Sequence, residues 1–341
     1  MIKNLLLLGC IATMIACTPT KQPTIDTTLQ SKVDSILKNK MSEIDAISGQ
    51  AIVMEVQTGE IKAMVGNGIS QESGLIRTAS LLAVMETGKV KLSDTIDVGE
   101  GIYKVHDREL LDHNWHRGGY GKLTTLQGLM VNSHIATYKN IERAFEEEQA
   151  YFDMLDKISY GQPESIVGLD DLKSAYFVTP NDSSWSNTAL AWFSIGYNQR
   201  ISPIQMLTFY NAIANDGKMV KPMLYKGETE VINPQIASKA NIDSLHMALV
   251  KVVTEGLGKP AQSEKVQVAG VSGGCQLSAE EDDSEGKTNT IYAVEYCGYF
   301  PAENPKYSII VSMNKVGLPA SGNLMAGSVF KEIVDYIEAN K

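Results

Sequence analysis

Positive charge is scarce in this chain. Lys and Arg total 30 against 40 Asp and Glu, for a net charge of -10. There is no basic footprint for nucleic acid, which is excluded as a partner. Long apolar runs are also missing. No stretch approaches 18 apolar residues, so no membrane-spanning helix is expected. Cysteine is limited to Cys10, Cys17, Cys275 and Cys297. His113-x-x-His116 has i,i+3 spacing, but it lies in a glycine-rich stretch and no Cys or carboxylate completes a metal set. No metal and no cofactor is therefore expected. The glycines form no phosphate loop, and no internal repeat is visible. The one dense acidic run, residues 280–285, reads as a solvated loop.

What is present is enough apolar content, 43% of 341 residues, to bury a full core. Residues 1–17 read as a targeting segment. Lys3 supplies the positive charge, a short apolar stretch follows, and Met14-Ile-Ala-Cys17 places a small residue before a cysteine. That ending resembles a bacterial lipobox, with Cys17 as the lipidated residue. Leu7-Leu-Gly-Cys10 fits the same pattern but leaves almost no apolar region before it. The alternative is an ordinary cleaved signal peptide whose cysteine is incidental. Residues 18–47 are expected to be a polar tether holding Pro19 and Pro23, followed by a short helix over Leu29–Met41.

Residues 48–341 read as a single α/β domain. Ala51–Val56 and Ile61–Val65 form a strand pair around the turn at Gln57-Thr-Gly-Glu60. Leu75–Thr87 has helical spacing and stops at Gly88. Residues 122–215 are mostly helical, with Pro203–Ala214 the clearest helix, and residues 235–257 are helical again. Strands return at Val266–Ala269, Thr290–Gly298 and Tyr307–Met313, and an amphipathic helix closes the chain over Val329–Glu338. The first hairpin is expected to join the late strands in one sheet. Cys275 and Cys297 flank a polar loop. They are either partners across a hairpin, in a disulfide that an oxidising envelope permits, or two small buried thiols.

Five segments together resemble a known family. They are Gly49–Val65, Asp112–Gly121, Phe193–Gly217 with its Ile201-Ser-Pro-Ile-Gln-Met206, Gly298–Tyr307 and Val329–Ile333. They are similar, in order and without large gaps, to the transpeptidase domain of class B penicillin-binding proteins. The resemblance implies a penicillin-binding transpeptidase or serine β-lactamase-like fold: a mainly antiparallel sheet flanked by helices, with a helical subdomain. The pedestal domain usual ahead of that domain is expected to be missing.

In that family a Ser at a helix start attacks an acyl donor, and a Lys one turn later takes its proton. Here Gly74 falls where Ser belongs and Arg77 where Lys belongs. Glycine has no nucleophile, and arginine does not give up its proton. A one-residue shift offers Ser73, which reads as a helix N-cap or loop serine. The second motif, Ser-x-Asn, becomes Asn132-Ser133-His134, with His134 expected to be a hydrogen-bonded histidine in a half-buried groove. The third, Lys-Thr/Ser-Gly, becomes Val271-Ser272-Gly273 and loses its cation. Ser-x-x-Lys tetrads at Ser35–Lys38, Ser284–Lys287 and Ser328–Lys331 are rejected by their positions in the tether helix, the acidic loop and the closing helix.

The resemblance thus implies a lipid-anchored, envelope-facing relative that is catalytically inactive and binds a peptidoglycan stem peptide or a cell-wall synthesis protein. An active transpeptidase or carboxypeptidase using Ser73 is one alternative, and a scaffold with no groove ligand is another. If the groove is intact, restoring Gly74→Ser, Arg77→Lys and Val271→Lys together is expected to recover acylation by penicillin.

Overall fold

The computed structural model describes residues 21–66, 68–166, 168–169, 172–277 and 290–341. Cys10, Cys17, the acidic run and the Ser284–Lys287 tetrad lie outside them. The centre is a five-stranded antiparallel sheet. Its strands are β1 (Ala46–Glu55), β2 (Ile61–Gly66), β3 (Ala269–Gln276), β4 (Ile291–Phe300) and β5 (Tyr307–Val316). Their order is β3-β4-β5-β1-β2, so the opening hairpin does join the late strands. The late strand expected at Val266–Ala269 instead starts at Ala269 and runs to Gln276. Its glycines at 270, 273 and 274 weaken the strand pattern in the sequence.

Nine helices are described. They are α1 (Thr27–Glu43), α2 (Ile76–Glu86), α3 (Thr125–Met130), α4 (His134–Ala144), α5 (Glu148–Lys157), α6 (Ala189–Ser194), α7 (Pro203–Ala214), α8 (Lys239–Thr254) and α9 (Ala326–Ala339). Local chemistry sets several of their starts. Asp26 Oδ1 accepts from the N–H of Thr28 and Leu29 to cap α1. Thr124 with Gln127, and Ser202 with Gln205, form capping boxes on α3 and α7. Pro203 opens α7 where its missing N–H costs nothing.

Each face of the sheet covers its own core, because strand side chains alternate. Ala51, Val53, Val294, Ile309 and Val311 pack under α1 and α9. Ile52, Met54, Cys297, Tyr299 and Ile310 face the other way, toward α2, α7, α8 and the helical subdomain. The segment expected to be a tether is docked from its first described residues. Thr24 Oγ1 donates to Ile61 O at 2.8 Å, and Val33, Ile36 and Leu37 are buried. At the β2 edge the Gln30 side chain stands in for a missing strand: its amide donates to Met64 O and accepts from Met64 N, both at 2.8 Å.

Candidate active site

The three altered motifs meet where the start of α2, the Asn132 turn and β3 converge. Arg77 is on the first turn of α2. Its Nη2 donates to Asn132 Oδ1 at 3.0 Å and to Ser272 O at 3.4 Å. Asn132 Nδ2 in turn donates to Ser272 Oγ at 3.0 Å. Asn132 has φ +58°, a left-handed conformation that Asn tolerates better than most residues. The contact brings Arg77 against the second and third motif segments.

At Gly74 the chain leaves no room for a side chain. A Cβ built there would lie 2.7 Å from Gly274 O and 2.8 Å from Gly274 N. Those are backbone atoms of β3, which cannot swing aside. Gly273 closes the same seam one residue earlier, where a Cβ would meet Leu75 N at 2.8 Å. Tyr210 fixes the other side of the α2 start, its hydroxyl 2.9 Å from Leu75 O and 2.7 Å from Thr78 Oγ1. Strand and helix are therefore in backbone contact along this seam.

Arg77 is only 5% exposed, and its Nε and Nη1 have no partner among the described residues. Burial lowers its pKa, opposed by the charges of Cys275, Tyr210, Glu295 and Asp112. A guanidinium nonetheless keeps its proton. Val271 is buried in the core, so the cationic position is now apolar.

Of the two readings of Ser73, helix N-cap or loop serine, the loop is the one seen: the N-cap residue of α2 is Leu75, and Ser73 Oγ accepts from its N–H only at 3.4 Å. Ser73 is 2% exposed, and its Oγ donates to Glu295 Oε2 at 2.6 Å. Its backbone is held by Gln199 Nε2, which donates to Ser73 O at 3.0 Å. Glu295 Oε1 also accepts from Ser312 Oγ at 3.3 Å. The carboxylate crosses above Gly273, its cross-strand partner, because glycine leaves that space open. Burial pushes the Glu295 pKa up to about 7, against the pull of Ser73, Ser312 and Arg77. Glu295 was missed in the sequence, where the available signal was a single acid inside an apolar strand.

Ser133 caps α4 and donates from Oγ to Asp112 Oδ2 at 2.7 Å. Asp112 is fully buried, also accepts the Ile135 N–H, and has its pKa raised by burial. His134 Nδ1 bonds Leu111 O at 2.9 Å. Burial, then the charge of Arg77, drives its pKa down to about 3, so the ring is neutral. His113 bonds Tyr120 OH at 3.0 Å, and the described residues contain no cluster of three possible metal ligands.

Cys275 and Cys297 are free, buried thiols. Cys275 faces Ala293 across the ladder, while Cys297 faces Val271. They are four register positions apart, roughly 13 Å at the strand rise, so of the two readings the buried thiols hold and the disulfide does not. The rejected tetrads have ordinary roles: Lys38 pairs with Asp34 and Lys331 with Asp335, each at 2.7 Å.

A strand-edge motif, a helix-start motif and an intervening turn motif, converging beside an antiparallel sheet, define the frame of a serine acyltransferase. This chain belongs to the penicillin binding protein transpeptidase domain family, whose model matches residues 49–335. It is 24% identical to penicillin-binding protein PbpB of Mycolicibacterium smegmatis, over 93% of this chain and 54% of that protein. It is 23% identical to peptidoglycan D,D-transpeptidase FtsI of Escherichia coli K12, over 89% and 53%. The chain spans about half the length of these relatives. The fold matches the transpeptidase domain of Burkholderia pseudomallei penicillin-binding protein 3 with a TM-score of 0.79 at 22% identity, covering 94% of this chain and 96% of that one. Penicillin-binding protein 3 of Mycobacterium tuberculosis, complexed with aztreonam, matches at 0.78 and 22% identity, over 94% and 79%.

Proposed function

We propose that this protein is a non-acylating member of its family in the bacterial cell envelope, held at a membrane by lipid on Cys17 and acting by binding in peptidoglycan synthesis or sensing. Its ligand is either a peptidoglycan stem peptide or a cell-wall synthesis protein. The observation that carries the reading is the backbone seam at Gly74, which removes both the nucleophile and the space for one. Arg77 supports it, since a permanent cation at that position cannot accept a proton. No helix among the described residues is long and apolar enough to cross a membrane.

One observation favours the alternative of acyl transfer through Ser73: its hydroxyl touches a carboxylate whose pKa is near 7, the range suited to a general base. Burial of Ser73 weighs against it, because no acyl donor reaches an oxygen enclosed on all sides. Incubation with a fluorescent penicillin, followed by intact mass, separates the two. We expect no adduct. An adduct that disappears in Ser73→Ala would establish the alternative.

A further inference from the structure

With the centre of the groove shut, the open space has moved outward. A cleft of about 730 Å³ lies beyond the Gln71–Glu72 segment, at the end of the sheet where β3 finishes and β4 begins. Its wall combines two cations, Arg108 and Arg200, with the apolar side chains of Ile47, Ile69, Trp192 and Ile291. Arg108 lies flat on the Trp192 ring, 3.7 Å from its centroid, which fixes its position and leaves the N–H edge free. Neither arginine has a carboxylate within 4 Å or a side-chain hydrogen bond among the described residues, although acids outnumber bases 40 to 30 in the chain. Glu72, the acid on the same wall, has its pKa raised by burial, which weakens it as a counter-ion.

The apolar part continues out of the cleft on a rigid support. Ile291 pairs with Val316 across the β4–β5 ladder. Just beyond, Lys315 Nζ donates to the carbonyls of Val316, Gly317 and Pro319 at 2.9–3.2 Å. That ammonium is itself buried, and the turn it organises projects Leu318, 73% exposed. Three bonds from one buried cation hold the largest exposure of an apolar side chain among the described residues. Val316 and Ile47, on the paired strands next to it, are exposed as well, so the apolar face is more than one side chain.

We propose that this sheet end is a docking surface for an extended, acidic segment of a partner protein that alternates carboxylates with aliphatic side chains. The arginines take the carboxylates, and Ile47, Ile69, Val316 and Leu318 take the aliphatic groups. The proposal rests on the binding role argued above, and it selects a protein over a cell-wall fragment as the ligand. Charge complementarity and the preorganised turn are what favour it.

The test is fluorescence anisotropy with a labelled peptide of alternating Val and Glu, and a Val–Lys peptide as its counterpart. The acidic peptide is expected to bind saturably and the basic one not. Arg108→Glu with Arg200→Glu should weaken binding about tenfold or more. Lys32→Glu with Lys38→Glu, an equal charge change on α1, should leave it within about twofold. Leu318→Ser should lower affinity several-fold at high salt, where the ionic part is screened. Equal binding of both peptides, or equal losses in the two charge reversals, would overturn the proposal. A penicillin adduct alongside intact acidic-peptide binding would instead remove the non-acylating role and leave this surface standing.

Discussion

Gly74→Ser is the substitution that would return the family's nucleophile, and the structure gives it a steric cost. The new Cβ arrives 2.7 and 2.8 Å from backbone oxygen and nitrogen of Gly274, and 3.2 Å from Arg77 Nη1. Carbon needs about 3.5 Å to sit comfortably. The clash is with main-chain atoms of Gly274, so relief requires β3 to move away from α2. Overpacking of this kind costs about 1–3 kcal/mol. At roughly 2–4 °C per kcal/mol, and somewhat less in a domain this large, Tm should fall by a few degrees. Gly227→Ser is the control, because nothing lies within 4 Å of a Cβ there. The same seam decides the triple variant Gly74→Ser, Arg77→Lys, Val271→Lys. The sequence alone leads one to expect recovered acylation, whereas the closed seam predicts none by fluorescent penicillin and intact mass. Wild-type Tm for Gly74→Ser together with a labelled triple variant would refute this reasoning, since β3 would then lift from α2 at no cost.

Other outcomes follow from the buried charges. Glu295 has its folded pKa raised to about 7 from 4.5. Its contribution to stability is therefore complete below pH 4.5 and is lost as pH rises through 7, by about 3 kcal/mol. Urea unfolding across that window should show the decline, and Glu295→Gln should flatten it. His134, with its pKa near 3, should show no imidazole titration by NMR between pH 5 and 8. Arg77→Met removes a buried cation with two unpartnered N–H groups and should unfold at the wild-type denaturant midpoint or above it. Cys275 and Cys297, with thiol pKa values raised by burial, should be alkylated by iodoacetamide only after denaturation, as read by peptide mass.

Periodicity exposed the frame because burial is written locally. The continuous apolar run in β1 reports a strand buried on both faces, the run from Pro203 to Ala214 reports a helix buried all round, and both appear where they were expected. The site is different in kind. Its closure depends on Gly74 meeting Gly274, two residues 200 positions apart, and a glycine carries no side chain to announce a contact. Ser73 was legible as a cap or a loop serine, but the bond of its hydroxyl to Glu295, on a distant strand, was not. The choice between a disulfide and two buried thiols turned on register: a hairpin brings two cysteines to neighbouring strands without fixing which residues face each other. Substituted motifs were legible one by one. That they still touch through Arg77, Asn132 and Ser272 is a tertiary fact.

The glutamine amide at Met64 has a consequence for how copies of this chain assemble. A sheet with two bare margins is a repeating unit, since any strand that joins one side leaves the other ready for the next. Here Gln30 and α1 terminate growth at β2, while β3 is the outer strand on the opposite side. On that side Arg77 and Asn132 donate to Ser272 O and Tyr197 accepts from the Gln276 N–H, so neither margin offers a free hydrogen-bonding row and strand addition between copies is blocked at both.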